Sequence, residues 1–404
     1  MNKQVEAFEK LSKLKVGALF MEMGTGKTKV ALDLISSKKD KVNFILWICP
    51  FSIKSEILSE KEKRHPDLSI EIVGVETIGS SDRSYLGIIN KVKNNKTFIV
   101  VDESLKIKNR EAKRTKRILE LSQYAKYKLI LNGTPISKNV LDLYTQMNFL
   151  SPKILNMSYN EFKNCYCEYY LHGRLKGKVK KQYNISHLIA KIEPYIFDSK
   201  LNLEKGKNYY SYEYQIEDLE EYDSIKAEFI QNYDNSSTFY ALTTKLQQCY
   251  CSCREKQNII NEIIKELNEQ VIVFVKFLGN IPTNEFKITG DMNAKEREEI
   301  IKKFQNKEIQ TLYITYGCGT FGLNFQNCKN IIFAEHSFDY AQRLQAEARI
   351  FRLGQEHNVN YYDINCKCGL DELIRGCLNK KSNLLLEINK EIERKGIEKW
   401  LKSI

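Results

Sequence analysis

The chain has 404 residues, of which 42% are hydrophobic, so it is long enough for two or three domains with buried cores, and a disordered chain is disfavoured. Lysine and arginine (63) outnumber aspartate and glutamate (51), and the net charge of +12 favours a polyanionic partner such as nucleic acid, although an ordinary solvated surface gives the same balance. The sequence has no apolar run of the roughly 18 residues that a membrane span needs and no apolar core of a secretion signal, so we expect a cytoplasmic protein without a membrane partner.

The eleven cysteines do not follow the spacing of a zinc ribbon. Several of them form C-x-C pairs, and we expect reduced thiols in a reducing compartment. The pairs are Cys165/Cys167, Cys251/Cys253 and Cys366/Cys368.

Short runs of β-branched and aromatic residues recur in the first 150 residues, and each ends in a turn-forming or polar cluster. The runs are VGALF before MEMGTGKT, NFILWIC before Pro50, TFIVV before DES and KLIL before NGTP. Stretches with a helical period follow, such as KTKVALDLISSKK and NREAKRTKRILELS. Strands that are apolar on both faces and alternate with helices predict an α/β fold with a parallel sheet.

The same alternation returns from about residue 256, in QVIVFVKF, EIQTLYITY and KNIIFAEHS. Between the two regions the sequence changes to long polar helical patterns with many tyrosines. We therefore predict an α/β lobe over residues 1–150, a mainly helical insertion or bridge over residues 151–255, and a second α/β lobe over residues 256–404.

The loop GTGKT, residues 24–28, predicts a phosphate-binding site. Its two glycines allow backbone N–H groups to turn inward, and the following helix directs its N-terminus at the same point. Lys27 would reach the β- and γ-phosphates, and the Thr28 hydroxyl would bind Mg²⁺. The usual pattern has a glycine five residues before Gly26, where this chain has Met21. A glycine-rich turn with a surface lysine is the alternative.

Two adjacent carboxylates, Asp102 and Glu103, follow the apolar run TFIVV. The carboxyl end of a strand is where parallel α/β sheets bind their ligands. Asp102 would hold Mg²⁺ and Glu103 would polarise the attacking water, which together suit nucleotide hydrolysis. A solvated turn at the end of the strand is the alternative.

Arg349 and Arg352 stand three residues apart in QAEARIFRLGQ, whose pattern is amphipathic. On a helix this spacing places both side chains on one face. Arginines on one face of a second lobe suit a finger that reaches a γ-phosphate, whereas a solvated helical face is the alternative.

The motifs follow the order found in one family. From DESLKIKN (102–109) the sequence resembles the DEAD/DEAH-box helicase superfamily (superfamily two), and within it the Swi/Snf-type ATPases. MEMGTGKT, the residues around Pro50, and LNGTPISKNVLDLY resemble motif I, motif Ia and the TGTP motif. VIVFVKF with ITGDMNAKEREEIIKKF, then TYGCGTFGLNFQNC and QAEARIFRLGQ, resemble motifs IV, V and VI, and GLDELIRGCLNKK resembles the helical brace that follows them.

The resemblance implies two RecA-like P-loop lobes with parallel sheets that use ATP and Mg²⁺ and contact nucleic acid. The catalytic residues that it implies are Lys27, Glu103, Arg349 and Arg352, with Arg352 as the finger. The metal ligands are Thr28 and Asp102. The nucleotide-binding residues are Gln4, which would read the adenine edge, and Met23, Gly24, Thr25, Gly26, Lys27, Thr28, Gly322 and Gln345. The residues of the nucleic-acid track are Pro50, Ser52, Thr134, Gly290 and Thr315.

The chain departs from the family pattern at three motif positions. Leu105 stands where the family often has a histidine that links the acidic site to the TGTP motif, Asn132 replaces a serine or threonine of that motif, and Thr320 replaces a glycine of motif V. We expect altered coupling between hydrolysis and movement, with an intact hydrolytic core.

The segment GRLKGKVKKQ (173–182) concentrates positive charge just after Tyr166, Tyr169 and Tyr170. Basic residues with interleaved aromatic residues can follow a nucleic-acid backbone and stack on bases. A solvated hairpin is the alternative.

We expect a monomeric ATP hydrolase that translocates on or remodels double-stranded DNA, with protein partners for its targeting. Alternatives are a helicase that separates strands or migrates branches on forked DNA or RNA, and an ATP-gated DNA clamp with little turnover. A P-loop kinase leaves QAEARIFRLGQ unexplained. The abundance of Lys, Asn, Ile and Tyr suggests a phage or low-GC bacterial source, in which case a phage-encoded chain would act in the host cytoplasm.

Overall fold

The structure is a computed structural model, and it describes residues 3–133, 135–136, 139–171, 176–200, 205–232, 236–319, 325–352, 355–379, 387–388, 391, 394 and 396–404. The chain divides into two compact units, residues 1–202 and 203–404. Each unit contains one six-stranded sheet whose paired strands are all parallel.

The strands of the first unit are β1 (Val16–Met21), β2 (Phe44–Cys49), β3 (Glu71–Gly74), β4 (Thr97–Val101), β5 (Tyr127–Asn132), β6 (Cys167–Tyr169), β7 (Val179–Gln182) and β8 (Ile196–Ser199). The sheet has the order β3-β2-β4-β5-β1-β8, and β6 and β7 form a separate antiparallel hairpin. The helices of this unit are α1 (Lys3–Ser12), α2 (Lys27–Ser36), α3 (Lys54–Arg64), α4 (Val75–Ser80), α5 (Asp82–Asn94), α6 (Lys113–Tyr124), α7 (Asp142–Leu150), α8 (Pro152–Leu155), α9 (Tyr159–Tyr166) and α10 (Ile185–Ile192).

The central strands of the first sheet are buried because both of their faces are covered. Every residue of β4 is buried, and in β1 and β2 only the first residue is partly exposed. This burial explains why the sequence of these strands is a continuous apolar run instead of an alternating pattern. It also leaves the carboxyl ends of the strands as the place where polar residues can gather.

The strands of the second unit are β9 (Lys207–Tyr214), β10 (Val271–Val275), β11 (Phe286–Ile288), β12 (Thr311–Thr315), β13 (Asn330–Phe333) and β14 (Val359–Cys366), in the order β11-β12-β10-β13-β14-β9. The helices are α11 (Leu219–Asn232), α12 (Ser236–Cys251), α13 (Arg254–Leu267), α14 (Ala294–Gln305), α15 (Tyr316–Gly319), α16 (Tyr340–Glu347), α17 (Gly369–Asn379) and α18 (Ile397–Leu401).

Strand β10 shows how the second sheet separates two cores. Val271, Val273 and Val275 pack into one cluster of buried side chains, and Ile272 and Phe274 pack into another. Because side chains alternate across a strand, successive residues belong to opposite faces of the sheet. Both cores are therefore built on the sheet itself.

The predicted two-lobe α/β fold with parallel sheets is confirmed, and the apolar runs identified in the sequence coincide with β1, β2, β4, β5, β10, β12 and β13. The three-part division at residues 150 and 255 stays a prediction. In the segment between these residues, β8 pairs with β1 of the first sheet and β9 pairs with β14 of the second. No described helix combines the length and the apolar character required to cross a bilayer.

We expect Phe162→Ala to lower the free energy of unfolding of the first unit by about 3–5 kcal/mol. Phe162 is fully buried on α9, and its ring centroid lies 5.4 Å from that of Tyr144 and 4.7 Å from that of Tyr166. Chemical denaturation followed by circular dichroism measures the change. Tyr124→Ala, at a position 43% exposed, is the control. Equal unfolding midpoints for the two variants would contradict this packing.

Candidate active site

The loop between β1 and α2 has the backbone of a phosphate-binding loop. Gly24 and Gly26 have φ angles of +77° and +88°, which glycine adopts without the strain that a side chain causes. A Cβ atom on Gly26 would also lie only 2.3 Å from Gln4 Nε2. The ten-residue helix α2 starts directly after Gly26, so its first N–H groups and its partial positive charge face the loop. This backbone fits the phosphates of a nucleotide.

Gln4 lies on the phosphate loop although it is far from it in sequence. Its Nε2 donates a hydrogen bond to Thr25 O (3.0 Å), and its Oε1 accepts one from Lys29 Nζ (2.8 Å). Thr25 Oγ1 in turn donates to Glu22 O (2.6 Å). The structure thus brings Gln4 and the loop together.

Lys27 is the first residue of α2, and its side chain reaches back to the end of β1, where its Nζ donates a hydrogen bond to Met21 O (2.9 Å). A Cβ atom on Gly133 would lie 3.6 Å from this Nζ and 3.5 Å from Met23 Cγ. Gly133 belongs to the loop after β5, so the absence of a side chain there leaves room beside Lys27. Sequence reasoning did not assign Gly133 this role.

Asp102 and Glu103 follow β4 directly. Asp102 is 7% exposed, and burial, together with the neighbouring Glu103 carboxylate, raises its pKa to about 7, although Lys27 acts to lower it. Asp102 Oδ1 accepts a hydrogen bond from Glu103 N (2.9 Å), and Glu103 has a φ angle of +51°. This left-handed conformation is uncommon for a residue with a side chain and is found more often at functional sites.

These groups meet because β4, β5 and β1 are neighbours in the sheet, and parallel strands end at the same edge. Register pairs Phe20 with Asn132 and Val101 with Ile130, so the three strands end nearly level. One edge therefore carries an ammonium group, two carboxylates and inward N–H groups. Burial raises the free energy of an isolated carboxylate charge, and a bound divalent cation would compensate for that charge. The donor set fits ATP with Mg²⁺, for which Thr28 and Asp102 are the candidate metal ligands.

The predicted track residues are only partly described. Pro50 is buried at the end of β2, Ser52 lies in the 3₁₀ turn that follows, and Thr134 lies outside the described residues. Phe51 between them is 63% exposed, with Lys54 Nζ 5.5 Å from its ring centroid. An exposed aromatic residue beside a cation suits stacking on a base. The position of Phe51 directly after Pro50 is the feature of the sequence that could have indicated this role.

In the second unit, Gly290 and Thr315 lie at one edge of the sheet. Thr315 ends β12, and Gly290 follows the neighbouring strand β11 by two residues. Gln345 lies on α16, and Gly322 lies outside the described residues. Gly290 and Thr315 therefore lie at the same edge of this sheet, and their role in a nucleic-acid track stays a prediction.

The expectation that Arg349 and Arg352 share a helical face is wrong. Helix α16 ends at Glu347, and the chain continues in turns, with Arg349 N donating to Ala346 O (3.1 Å). The Arg349 side chain is buried, and its Nε donates to Gln345 O (3.0 Å), whereas Arg352 is partly exposed. The two arginines therefore have different surroundings, and Arg352 is the more accessible.

Residues 179–182 of the basic segment form strand β7 of a hairpin, residues 173–175 lie outside the described residues, and one of the tyrosines before the segment cannot stack on bases. Tyr166 is fully buried in the core of the first unit. Lys176, Lys178, Lys180 and Lys181 are exposed, and Lys180 pairs with Glu168 (2.8 Å). Gln182 Oε1 accepts a hydrogen bond from Val140 N (2.9 Å), which fixes the hairpin near the chain that follows NGTP.

Sequence profiles identify the family of the chain. A profile of the SNF2-related domain matches residues 52–254, about half of the chain, and a profile of the helicase conserved C-terminal domain matches residues 255–354. The chain belongs to the SNF2-related family. It is a Swi/Snf-type, helicase-like ATP hydrolase of superfamily two, as its motifs predicted, while a phage origin stays a prediction.

Several curated SNF2-related proteins are similar to the chain. The TATA-binding protein-associated factor MOT1 of Saccharomyces cerevisiae is 23% identical over 91% of this chain and 26% of that protein. The DNA annealing helicase and endonuclease ZRANB3 of Bos taurus is 24% identical over 90% of this chain and 38% of that protein. The chain thus spans about a quarter to two fifths of these relatives. A solved structure, the SWI2/SNF2 ATPase core of Sulfolobus solfataricus in complex with dsDNA, is 23% identical with a TM-score of 0.43, covering 99% of this chain and 96% of that chain.

Proposed function

We propose that this SNF2-related ATPase binds ATP with Mg²⁺ and uses its hydrolysis to translocate on or remodel double-stranded DNA. The observation that carries the hydrolytic part is the meeting of Lys27, Asp102 and Glu103 at one edge of the first sheet. Two observations support DNA as the polymer, namely the net charge of +12 and the similarity to a DNA annealing helicase and endonuclease.

Each group at the sheet edge has a proposed task. Lys27 and the N–H groups of the loop hold the β- and γ-phosphates, and Asp102 and the Thr28 hydroxyl hold the metal ion. A bound Mg²⁺ supplies positive charge that neutralises the phosphate oxygens. Glu103 orients the attacking water and accepts its proton, for which a carboxylate at the end of a rigid strand is suited.

Gln4 has a proposed role in base recognition. Its amide is anchored to the loop through Thr25 O and Lys29 Nζ, so it is positioned by the same segment that would hold the phosphates. An amide offers a donor and an acceptor together, which matches the pattern at the adenine edge. The motif resemblance supports Arg352, with Arg349 beside it, as the source of positive charge on the γ-phosphate.

Steady-state ATP hydrolysis by the purified chain tests this function, without polymer and with duplex DNA, single-stranded DNA or RNA. We expect the strongest stimulation with duplex DNA, and we expect Lys27→Ala and Arg352→Ala to remove it. Because contacts with phosphates release counterions, the stimulation should also weaken as the salt concentration rises.

Each alternative predicts a different result. Stimulation that is greatest with forked substrates, together with release of a displaced strand, would favour a helicase. Tight DNA binding with ATP but without multiple turnovers would favour a clamp. Hydrolysis that is indifferent to every polymer would contradict the motor function itself.

A further inference from the structure

Strand β9, at the edge of the second sheet, is much longer than the other edge strands of the two six-stranded sheets. It has eight residues, whereas β3, β8 and β11 at the other edges have four, four and three. An edge strand presents a row of backbone N–H and C=O groups to which a further strand can bind, and proteins normally keep such strands short. The length of β9 therefore makes it a candidate for pairing with another strand.

Strand β9 is also open to solvent. Of its residues, KNYYSYEY, only Tyr214 is buried, while Tyr209 is 55% and Tyr210 44% exposed. Among the described residues, the backbone groups of residues 207–213 are hydrogen-bonded only to β14. The strand contains no proline, its register with β14 is continuous, and its charged residues lie towards its ends. It thus lacks the usual features that protect an edge from pairing.

Two rows of tyrosine rings extend from β14 to β9 and end at this edge. Tyr210 stacks on Tyr362, with 4.9 Å between the ring centroids and 14° between the ring planes. On the opposite face, the centroids of Tyr209 and Tyr361 are 5.2 Å apart. Aromatic side chains that lie side by side on neighbouring strands stabilise a sheet. The outer tyrosines offer the same kind of contact to one more strand.

The residues along β9 are complementary to a second copy of β9 that runs antiparallel to it. If the two copies pair about Tyr210, Lys207 of each copy faces Glu213 of the other, and Tyr210 faces its own counterpart. The remaining cross-strand pairs are Asn208 with Tyr212 and Tyr209 with Ser211. Opposite charges and aromatic residues across from one another stabilise antiparallel strands, whereas like charges destabilise them. The edge is therefore complementary to itself in charge and in shape.

The charges that flank β9 favour the same arrangement. Lys207 Nζ lies 3.3 Å from Glu347 Oε2, and Lys367 Nζ lies 3.5 Å from Glu213 Oε2. Antiparallel pairing would place the lysine of one ion pair next to the glutamate of the other, so that charges of alternating sign continue across the contact. Parallel pairing in register would instead place each charged residue against its own counterpart, which is unfavourable.

We propose that two copies of this chain pair antiparallel through β9, so that their second sheets join into one continuous sheet about a two-fold axis at Tyr210. This differs from the monomer expected from the sequence. A two-fold contact uses the same patch on both copies, and such dimers are the commonest homo-oligomers. Because the contact is confined to one strand, we expect a dissociation constant in the micromolar range. The dimer does not depend on the proposed function, since it involves neither ATP nor DNA.

Sedimentation velocity of the whole chain from about 1 to about 200 µM tests the dimer, because this range spans a micromolar dissociation constant. We expect the parent chain to shift from monomer to dimer. Tyr210→Lys should raise the dissociation constant at least about tenfold, because it places two ammonium groups against each other on the axis. Phe286→Lys is the matched control, since Phe286 is 45% exposed on β11 at the opposite edge of the same sheet. Circular dichroism checks that both variants are folded.

Disulfide cross-linking tests the register and does not need the lysine variant to fold. In Tyr210→Cys, the new thiol would face its own counterpart, with the Cβ atoms about 5 Å apart, and mild oxidation should link the two chains. Glu213→Cys changes the same strand, but its thiol would lie about 20 Å from its counterpart. We expect this variant to cross-link no more than the parent chain, which controls for the native cysteines.

Several results would overturn the dimer while leaving the proposed ATPase function in place. One is a parent chain that stays monomeric over the whole concentration range. Another is a dimer that persists in Tyr210→Lys or is lost in Phe286→Lys, because the contact would then lie on a different surface. Equal cross-linking of Tyr210→Cys and Glu213→Cys would indicate parallel pairing and would rule out the two-fold contact about Tyr210.

Discussion

ATP turnover is expected to fall about 10²–10³-fold in Lys27→Ala, the loss typical of removing a positioned charge that stabilises a transition state. Lys27 begins α2, so its ammonium adds to the partial positive charge of the helix N-terminus. It is also close enough to Asp102 to lower the pKa of that carboxyl. Alanine removes this charge from the place where phosphate and carboxylates would meet.

The phosphate loop itself should keep its shape in this variant. Its backbone is set by the positive φ angles of Gly24 and Gly26 and by the hydrogen bond from Gln4 to Thr25 O, none of which uses the Lys27 side chain. Alanine also has the highest helix propensity, so α2 should not be weakened. We therefore expect an unchanged unfolding temperature together with lost turnover.

Phosphate release at saturating ATP and duplex DNA measures the effect. Lys39→Ala is the matched control, since Lys39 is exposed, lies in the same unit and forms an ion pair with the exposed Asp67 (3.3 Å). Turnover within about threefold of the parent chain would show that Lys27 does not act at the site, because removing a positioned charge from a water-excluded site lowers the rate far more than this.

The fold followed from the sequence because the central strands are covered on both faces. Continuous apolar runs such as FILWIC and TFIVV are typical of strands in a buried parallel sheet. The carboxyl ends of such strands lie at the same edge of the sheet. The same argument placed Lys27, Asp102 and Glu103 at one edge. Local pattern was sufficient for these residues because Asp102 and Glu103 follow β4 directly and Lys27 begins the helix that follows β1.

Residues whose positions depend on tertiary contacts were harder to derive. The physical pattern alone gives Gln4 no function, because its contact with Thr25 joins residues 21 apart, and only the family resemblance selected it. Gln146 is a polar residue among the buried apolar residues of LDLYTQMNFL, and periodicity alone does not indicate which groups it contacts. The spacing of Arg349 and Arg352 suggested a common helical face, but the helix ends at Glu347, since periodicity does not fix where a helix stops.

Glu103→Gln is expected to lower kcat by about 10²–10⁴-fold while ATP and DNA still bind, because an amide of the same shape cannot accept the proton of the attacking water. The φ angle of +51° at this position is set by the turn between β4 and Ser104, and glutamine makes the same demands on it as glutamate. The Glu103 carboxylate is also one of the causes that raise the pKa of Asp102. Glutamine removes this negative charge, which lowers the pKa of Asp102 and makes its carboxylate easier to ionise. The substitution therefore does not weaken Asp102 as an oxygen ligand for the metal ion.

Single-turnover hydrolysis and equilibrium binding of a fluorescent ATP analogue separate the two effects in Glu103→Gln. Glu62→Gln, on the exposed surface of α3, controls for the loss of one negative charge from the same unit. Lost binding would mean that Glu103 holds the nucleotide instead of acting on water. A single-turnover rate within about tenfold of the parent chain would mean that water is activated without this carboxylate, since a general base contributes more than that. Retained binding with a slow chemical step is the only combination that fits a base positioned by the end of β4. A variant with these properties would also stay in the ATP-bound form, in which DNA binding can be measured directly.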